Sequence, residues 1–241
     1  MSKDTNDLVV LICGDSATGK TSSLEFLENQ EGIMYLNCEG GKKAPFKAGW
    51  KPYTITDPYQ VEKAFEVAET KPDVHTIVID GLNYLMDMFE SVHVLSSANT
   101  MQMWGAYAQF LKNLMMQSIA KSTKRVIVLA HIDRHLNEDT MEMQVAVPVK
   151  GSMKGKVESF FTTIVYAKRV PLKKLTDYEN DMLDINEDDK IDEYKYVFQT
   201  RPTKETVNEK MRSPRRLWKR NETFIDNDCN KLLKHLEDFY S

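Results

Sequence analysis

Eight consecutive residues, Gly14-Asp15-Ser16-Ala17-Thr18-Gly19-Lys20-Thr21, constrain this chain more than any other stretch of it. The run before them, Leu8 to Cys13, is short, apolar and rich in β-branched residues, and reads as a buried strand. The residues after them suggest a helix starting at Gly19 that carries Leu24 and Leu27 inward. A glycine-rich loop between strand and helix can curl so that successive backbone N–H groups point at a phosphate, beside the positive helix end. Lys20 would then reach the β- and γ-phosphates, and the Thr21 hydroxyl would ligate Mg²⁺. Gly14 to Thr21, with the adjoining Ser22, are therefore the expected contacts for ATP and Mg²⁺. A chance glycine-rich turn is the alternative, and the flanking strand and helix speak against it.

The remaining pattern alternates strands and helices. Gly32 breaks the chain before an expected strand over Ile33 to Asn37. Asp57-Pro58 is a helix start, ahead of Val61, Ala64, Phe65 and Ala68 at helical spacing. Thr76 to Asp80 and Arg125 to Ala130 read as further strands, separated by an amphipathic helix from Trp104 through Met115. Phe160–Val170 and Tyr194–Gln199 suggest an antiparallel pair extending the sheet. Between them, nine Asp or Glu accompany one Lys from Thr176 to Glu193, so 177–193 is expected as a mobile solvated loop. A last helix, capped by Asp226 or Asp228, presents Leu232, Leu233, Leu236, Phe239 and Tyr240. The expectation is an α/β fold: a mostly parallel central sheet flanked by helices, with an antiparallel extension near the C-terminus, in one domain over 1–241.

Composition narrows the classes. An apolar share of 41% and a charged share of 28% suit an ordinary globular domain. No window approaches the roughly 18 apolar residues of a membrane span, and the polar Met1-to-Asp7 start shows no signal peptide. Cys13, Cys38 and Cys229 are too few and scattered for a disulfide framework or a zinc site, which suggests a reducing intracellular setting. A net charge of −4 gives no global attraction to nucleic acid, so any such contact requires a local basic patch.

Three further residues are candidates for chemistry. Asp80 ends a strand whose carboxyl edge faces the same way as the loop, and could hold Mg²⁺, or cap a helix at Gly81-Leu82-Asn83. Glu39 follows the strand ending at Asn37 and precedes Gly40-Gly41. It could orient or deprotonate water beside a γ-phosphate, or serve only as a turn acid. His131 ends its strand and could sense the γ-phosphate, or be a satisfied strand-end histidine. His131, Asp133 and His135 also alternate like metal ligands, but no further His or Cys lies near to complete a site.

Two basic clusters remain. Lys150, Lys154 and Lys156 lie in a glycine-containing loop, and Lys210 to Arg220 holds six bases, Trp218 and no acid. Lys150, Lys154, Lys156, Arg215 and Arg216 could track a phosphodiester backbone with Trp218 stacking on bases. Lys210 or Arg212 could instead reach a γ-phosphate on a neighbouring subunit, and a solvated surface is the plain alternative.

Taken in order, the glycine loop, Asn37-Cys38-Glu39-Gly40-Gly41, Thr76 to Asn83, the Trp104 helix, the strand ending in His131 and the late Lys210-Met211-Arg212 resemble the RecA-like P-loop ATPase core. They are most similar to the compact phage-type ATP-dependent recombinases or single-strand annealing proteins. That resemblance implies a DNA-stimulated, Mg²⁺-dependent ATPase that binds single-stranded DNA as a homo-oligomer, ring or filament. It implies Glu39 as the water-activating glutamate, Ile132 to Glu158 as a DNA-binding loop, and Lys210 and Arg212 as trans-acting residues. His131 stands where RecA proteins usually carry glutamine. A small-molecule or nucleotide kinase, with Arg212 to Arg220 as a lid, and an ATP-regulated helicase-loader module are the alternative readings.

Overall fold

A computed structural model describes residues 5–138 and 141–241, so Met1 to Asp4 of the polar N-terminus lie outside the described residues. Six parallel strands form the core of the main sheet: β1 (Val9–Gly14), β2 (Ile33–Asn37), β3 (Pro52–Thr54), β4 (Thr76–Asp80), β5 (Arg125–His131) and β8 (Thr163–Pro171). The hairpin β6 (Asp133–Asn137) and β7 (Glu142–Ala146) stands apart as a separate two-stranded sheet. Antiparallel β9 (Tyr194–Gln199) and β10 (Phe224–Asp226) extend the edge, giving the order β10-β9-β8-β1-β5-β4-β2-β3. The expected α/β architecture is the one observed.

The interior strands are buried along nearly their whole length because helices cover both faces, and their sequences are correspondingly apolar without alternation. Leu11 and Cys13 of β1 face a layer made by α1 (Tyr59–Thr70), α2 (Leu82–Phe89) and α3 (Thr100–Asn113). Val10 and Ile12 face Leu24, Leu27 and the C-terminal helix α5 (Cys229–Tyr240). Asp57 Oδ1 accepts the Tyr59 N–H at 2.9 Å, the capping role its sequence suggests. Asp228 caps α5 through the Asn230 and Lys231 N–H groups, at 2.7 and 3.1 Å. Cys13, Cys38 and Cys229 are free and buried.

Two elements depart from the sequence pattern. The helix expected from Gly19 shrinks to one 3-10 turn, Ser22–Leu24, although Leu24 and Leu27 do point inward. Ser23 Oγ donates to the Lys20 carbonyl at 2.6 Å, which takes up the acceptor that a continuing helix would use. Asn29 then adopts a left-handed φ of 50° and ends the segment. The acidic stretch expected as a mobile solvated loop is laid down on the sheet extension. The Asp226 N–H donates to Met182 O at 2.8 Å, and the Asp184 N–H to Asp226 Oδ1 at 3.1 Å. Tyr178, Leu183 and Ile185 pack on Val170, Leu175, Val197 and Phe224, and Asn186 starts a short capped helix, α4 (Glu187–Asp192). The apolar residues spaced among the acids anchor what net charge alone suggests should stay free.

Trp218 also belongs inside. It is 3% exposed and stacks on His235 of α5, with ring centroids 4.5 Å apart and planes 11° from parallel. A base cannot stack on a ring already covered, so the stacking role drawn from its basic neighbours is withdrawn. Trp218→Ala should therefore destabilise the fold by about 3–5 kcal/mol, measured by urea unfolding. A loss below about 0.5 kcal/mol, the range of a surface substitution, would mean that the ring is not a core residue.

Candidate nucleotide-binding site

Parallel register brings the ends of four strands to one edge. Gly14 lies beside His131, the last residue of β5, and Asp80 lies beside Leu129 on one side and Asn37 on the other. The glycine loop leaves β1 here. Gly14 has no room for a side chain, since a Cβ would meet Thr18 Oγ1 at 2.6 Å and the Ala167 carbonyl at 2.7 Å. Gly19 has φ of +88° and abuts Asn227, whose Nδ2 donates to the Gly19 carbonyl at 2.8 Å.

Lys20 is 8% exposed and folds back into the loop. Its ammonium donates to the carbonyls of Gly14 (2.9 Å) and Asp15 (2.6 Å) and lies 3.4 Å from His131 Nδ1. Burial lowers its pKa, while the carboxylates of Asp80, Glu39 and Asp15 act the other way. Phosphate oxygens are stronger acceptors for an ammonium than neutral carbonyls are. The same cleft is lined by Ser16, Ala17, Thr18, Gly19, Thr21 and Ser22 from the loop, and by Glu39, Asp80 and His131 from the strand ends.

Asp80 is buried and accepts from Tyr35 Oη at 2.5 Å and Thr21 Oγ1 at 3.1 Å. No side-chain capping bond joins it to α2, which starts at Leu82 after Gly81 with φ of +97°. The alternative of a helix-capping aspartate therefore falls away. Burial raises the Asp80 pKa, partly offset by its hydroxyl donors, and Glu39 pushes it further up. A buried carboxylate touching only hydroxyls, one of them itself a potential ligand, is a fitting pair of hard oxygen donors for Mg²⁺.

Glu39 and His131 form the opposite wall. His131 Nε2 lies 3.3 Å from Glu39 Oε1, and Lys42 Nζ donates to Glu39 Oε2 at 3.0 Å. A single tautomer satisfies both ring nitrogens: Nδ1 accepts from Lys20 while Nε2–H donates to Glu39. Burial and the Lys20 charge lower the His131 pKa, with Glu39 opposing them, so the ring is neutral at physiological pH. The Asn83 side-chain Oδ1 accepts from the His131 backbone N–H at 3.1 Å, and the Tyr84 ring stands edge-on to the imidazole. Glu39 also closes a turn, because the Lys42 N–H donates to its carbonyl at 3.3 Å, and Gly40 and Gly41 both have positive φ.

Tyr35, Lys42, Asn83 and Arg134 are site residues missed in the sequence. Tyr35 sits in an apolar strand, where a phenol reads as core. Arg134 is the second residue of β6, and its guanidinium grips Asp15 of the loop through two bonds of 2.5 and 2.8 Å. That pair lowers the Asp15 pKa, chiefly through the Arg134 hydrogen bond. Lys42 follows the double glycine, a placement that could have drawn attention to it.

None of the basic-cluster residues lines this cleft. Lys150 is paired with Glu90, and Lys154 and Lys156 are exposed. Lys210 Nζ reaches the Gly155 carbonyl at 2.9 Å and the buried Glu158 carboxylate at 3.2 Å, so the late cluster touches the lysine loop. Arg212 pairs its backbone with Ile164 near the start of β8, and Ile164 is in register with Leu11 of β1. Arg215 and Arg216 are exposed.

A loop fitted to a triphosphate, a neighbouring Thr–Asp pair and a facing glutamate define a P-loop NTPase. A family model described as an AAA domain matches residues 6–211, and the chain belongs to this family of ATP-binding P-loop NTPases. No curated protein matches the chain. Among the described residues, no helix is long and apolar enough to cross a membrane.

A depressed imidazole pKa means that the folded protein resists protonation of His131, so its stabilising contribution is present above about 6.5 and lost as pH falls below it. NMR titration of the His131 ring should find it protonating below 6.5, the ordinary value. Glu39→Gln should move that titration lower and Lys20→Ala should move it higher. A titration at or above 6.5 would remove the Lys20–His131–Glu39 arrangement.

Proposed function

We propose that the protein is a Mg²⁺-dependent ATPase that binds single-stranded DNA as a homo-oligomer and uses hydrolysis to control annealing or strand exchange. The observation that carries this reading is His131, which bridges Lys20 and Glu39 and stands two residues before the β6–β7 hairpin. A change at the γ-phosphate would alter those two bonds and bear directly on that hairpin. The Arg134–Asp15 pair supports the same coupling, because it joins the hairpin to the phosphate loop. The exposed Lys154 and Lys156 lie further along the same connection, consistent with a DNA-facing loop.

In the hydrolytic step the loop and Lys20 hold the triphosphate, and Lys20 exchanges its carbonyl acceptors for phosphate oxygens. Thr21 and Asp80 would hold Mg²⁺, which when bound offsets negative charge on the β- and γ-phosphates. Glu39 orients a water and accepts its proton as the oxygen attacks the γ-phosphorus, leaving ADP and phosphate. His131 Nε2–H and Lys42 both donate to Glu39, fixing the carboxylate that faces the water. Lys210 and Arg212 are proposed as trans-acting groups at a subunit interface. For Lys210 that role requires exchanging its own Glu158 for a neighbour's phosphate.

Lys20→Ala should abolish binding of a fluorescent ATP analogue. Glu39→Gln should bind it normally while phosphate release falls about 10²–10⁴-fold. Normal turnover by the Glu39 variant would take that residue out of the chemistry. Phosphate release by the wild-type protein should rise when single-stranded DNA is added. No stimulation, together with transfer of the γ-phosphoryl group to a nucleoside acceptor, would replace this reading with a kinase.

A further inference from the structure

We infer that a positively charged cleft on the antiparallel extension of the sheet binds the backbone of single-stranded nucleic acid, an inference that rests on the DNA reading above. Three separate stretches build it. Lys173 and Lys174 come from the turn after β8, Arg201 and Lys204 from the connection after β9, and Arg220 from the residues before β10. They converge on a concavity of about 800 Å³, where five cations meet only two carboxylates, Asp177 and Glu205.

Most of that charge has no internal use. Lys174 pairs with Glu205 at 2.6 Å, and Arg201 donates to the Trp218 carbonyl at 2.8 Å. Lys173, Lys204 and Arg220 are exposed, and their side chains make no hydrogen bond or ion pair among the described residues. In a chain of net charge −4, unpaired cations gathered in a hollow produce a focused positive potential. Of the acids of the preceding segment, Asp177 lines this cleft, whereas Asp184 and Asp189 line a different one beside the glycine loop. The wall also carries Tyr178, half-buried and held edge-on against Phe224 at 4.9 Å between centroids. Cations beside one fixed aromatic ring are the chemistry that tracks phosphates and stacks a base. The basic run thus contributes through Arg220, and Tyr178 supplies the ring that buried Trp218 does not.

Fluorescence anisotropy of the full-length protein with a fluorescein-labelled thymidine oligomer tests this. Combining Lys173→Ala, Lys204→Ala and Arg220→Ala should weaken binding at least about tenfold. It should also lower the slope of log affinity against log salt by about 2, the effect of three lost phosphate contacts. Tyr178→Ala should weaken binding about tenfold and Tyr178→Phe should restore it. ATP hydrolysis without DNA should be unchanged in the triple variant, which reports on folding. Unchanged affinity and salt slope in that variant, with weakening only by Lys154→Ala/Lys156→Ala, would overturn the cleft and leave the DNA reading standing. Absence of any wild-type binding at about 50 mM salt would overturn both.

Discussion

The site depends on the parallel register of β1, β5, β4 and β2. Because β5 is threaded between the strand of the glycine loop and the strand of Asp80, its last residue emerges between them. His131 is therefore held between Lys20 and Glu39 by backbone hydrogen bonding, without reliance on a flexible loop. The buried Asp80 is fixed in the same way, and the two hydroxyls that reach it come from different elements, Tyr35 of β2 and Thr21 of the loop. A shift of one residue in any of these strands would turn the terminal side chains to the opposite face. The doubly covered apolar core prevents it, because every strand would then have to repack on both sides.

That register explains why so much of the site was legible beforehand. Strands buried on both faces are written as unbroken apolar runs, and the polar residue that interrupts each run marks the end of the strand. Asp80 and His131 are legible this way, whereas Glu39 is read from its place two residues beyond the strand end at Asn37 and before a double glycine. Tyr35 is not legible, because a tyrosine inside such a run looks like packing until its hydroxyl partner is seen. Arg134 escaped for a related reason: its partner Asp15 is 119 residues distant in sequence.

The less legible parts are those where one side-chain contact outweighs composition. Ser23 turns a presumed helix into a single turn by bonding the Lys20 carbonyl. Leu183 and Ile185 anchor a segment whose charge suggests solvent. Trp218 lies among arginines and lysines in sequence but against Leu233, Leu236 and their neighbours in one apolar cluster. In each case a local average misleads, because the deciding partner lies elsewhere along the chain.

The back of the glycine loop rests on the chain's last helix. Asn227 holds the Gly19 carbonyl, Ser23 Oγ lies 3.1 Å from Cys229 Sγ, and Leu232, Leu233 and Leu236 fill the core behind β1. The family resemblance stops at residue 211. The matched region is consequently shorter than the packed fold. The tail is part of the nucleotide site's foundation, and its helix packs directly behind the turn after the loop. A chimaera that joined this loop to another relative's C-terminal segment would inherit a mismatched support, even with every phosphate-facing residue retained.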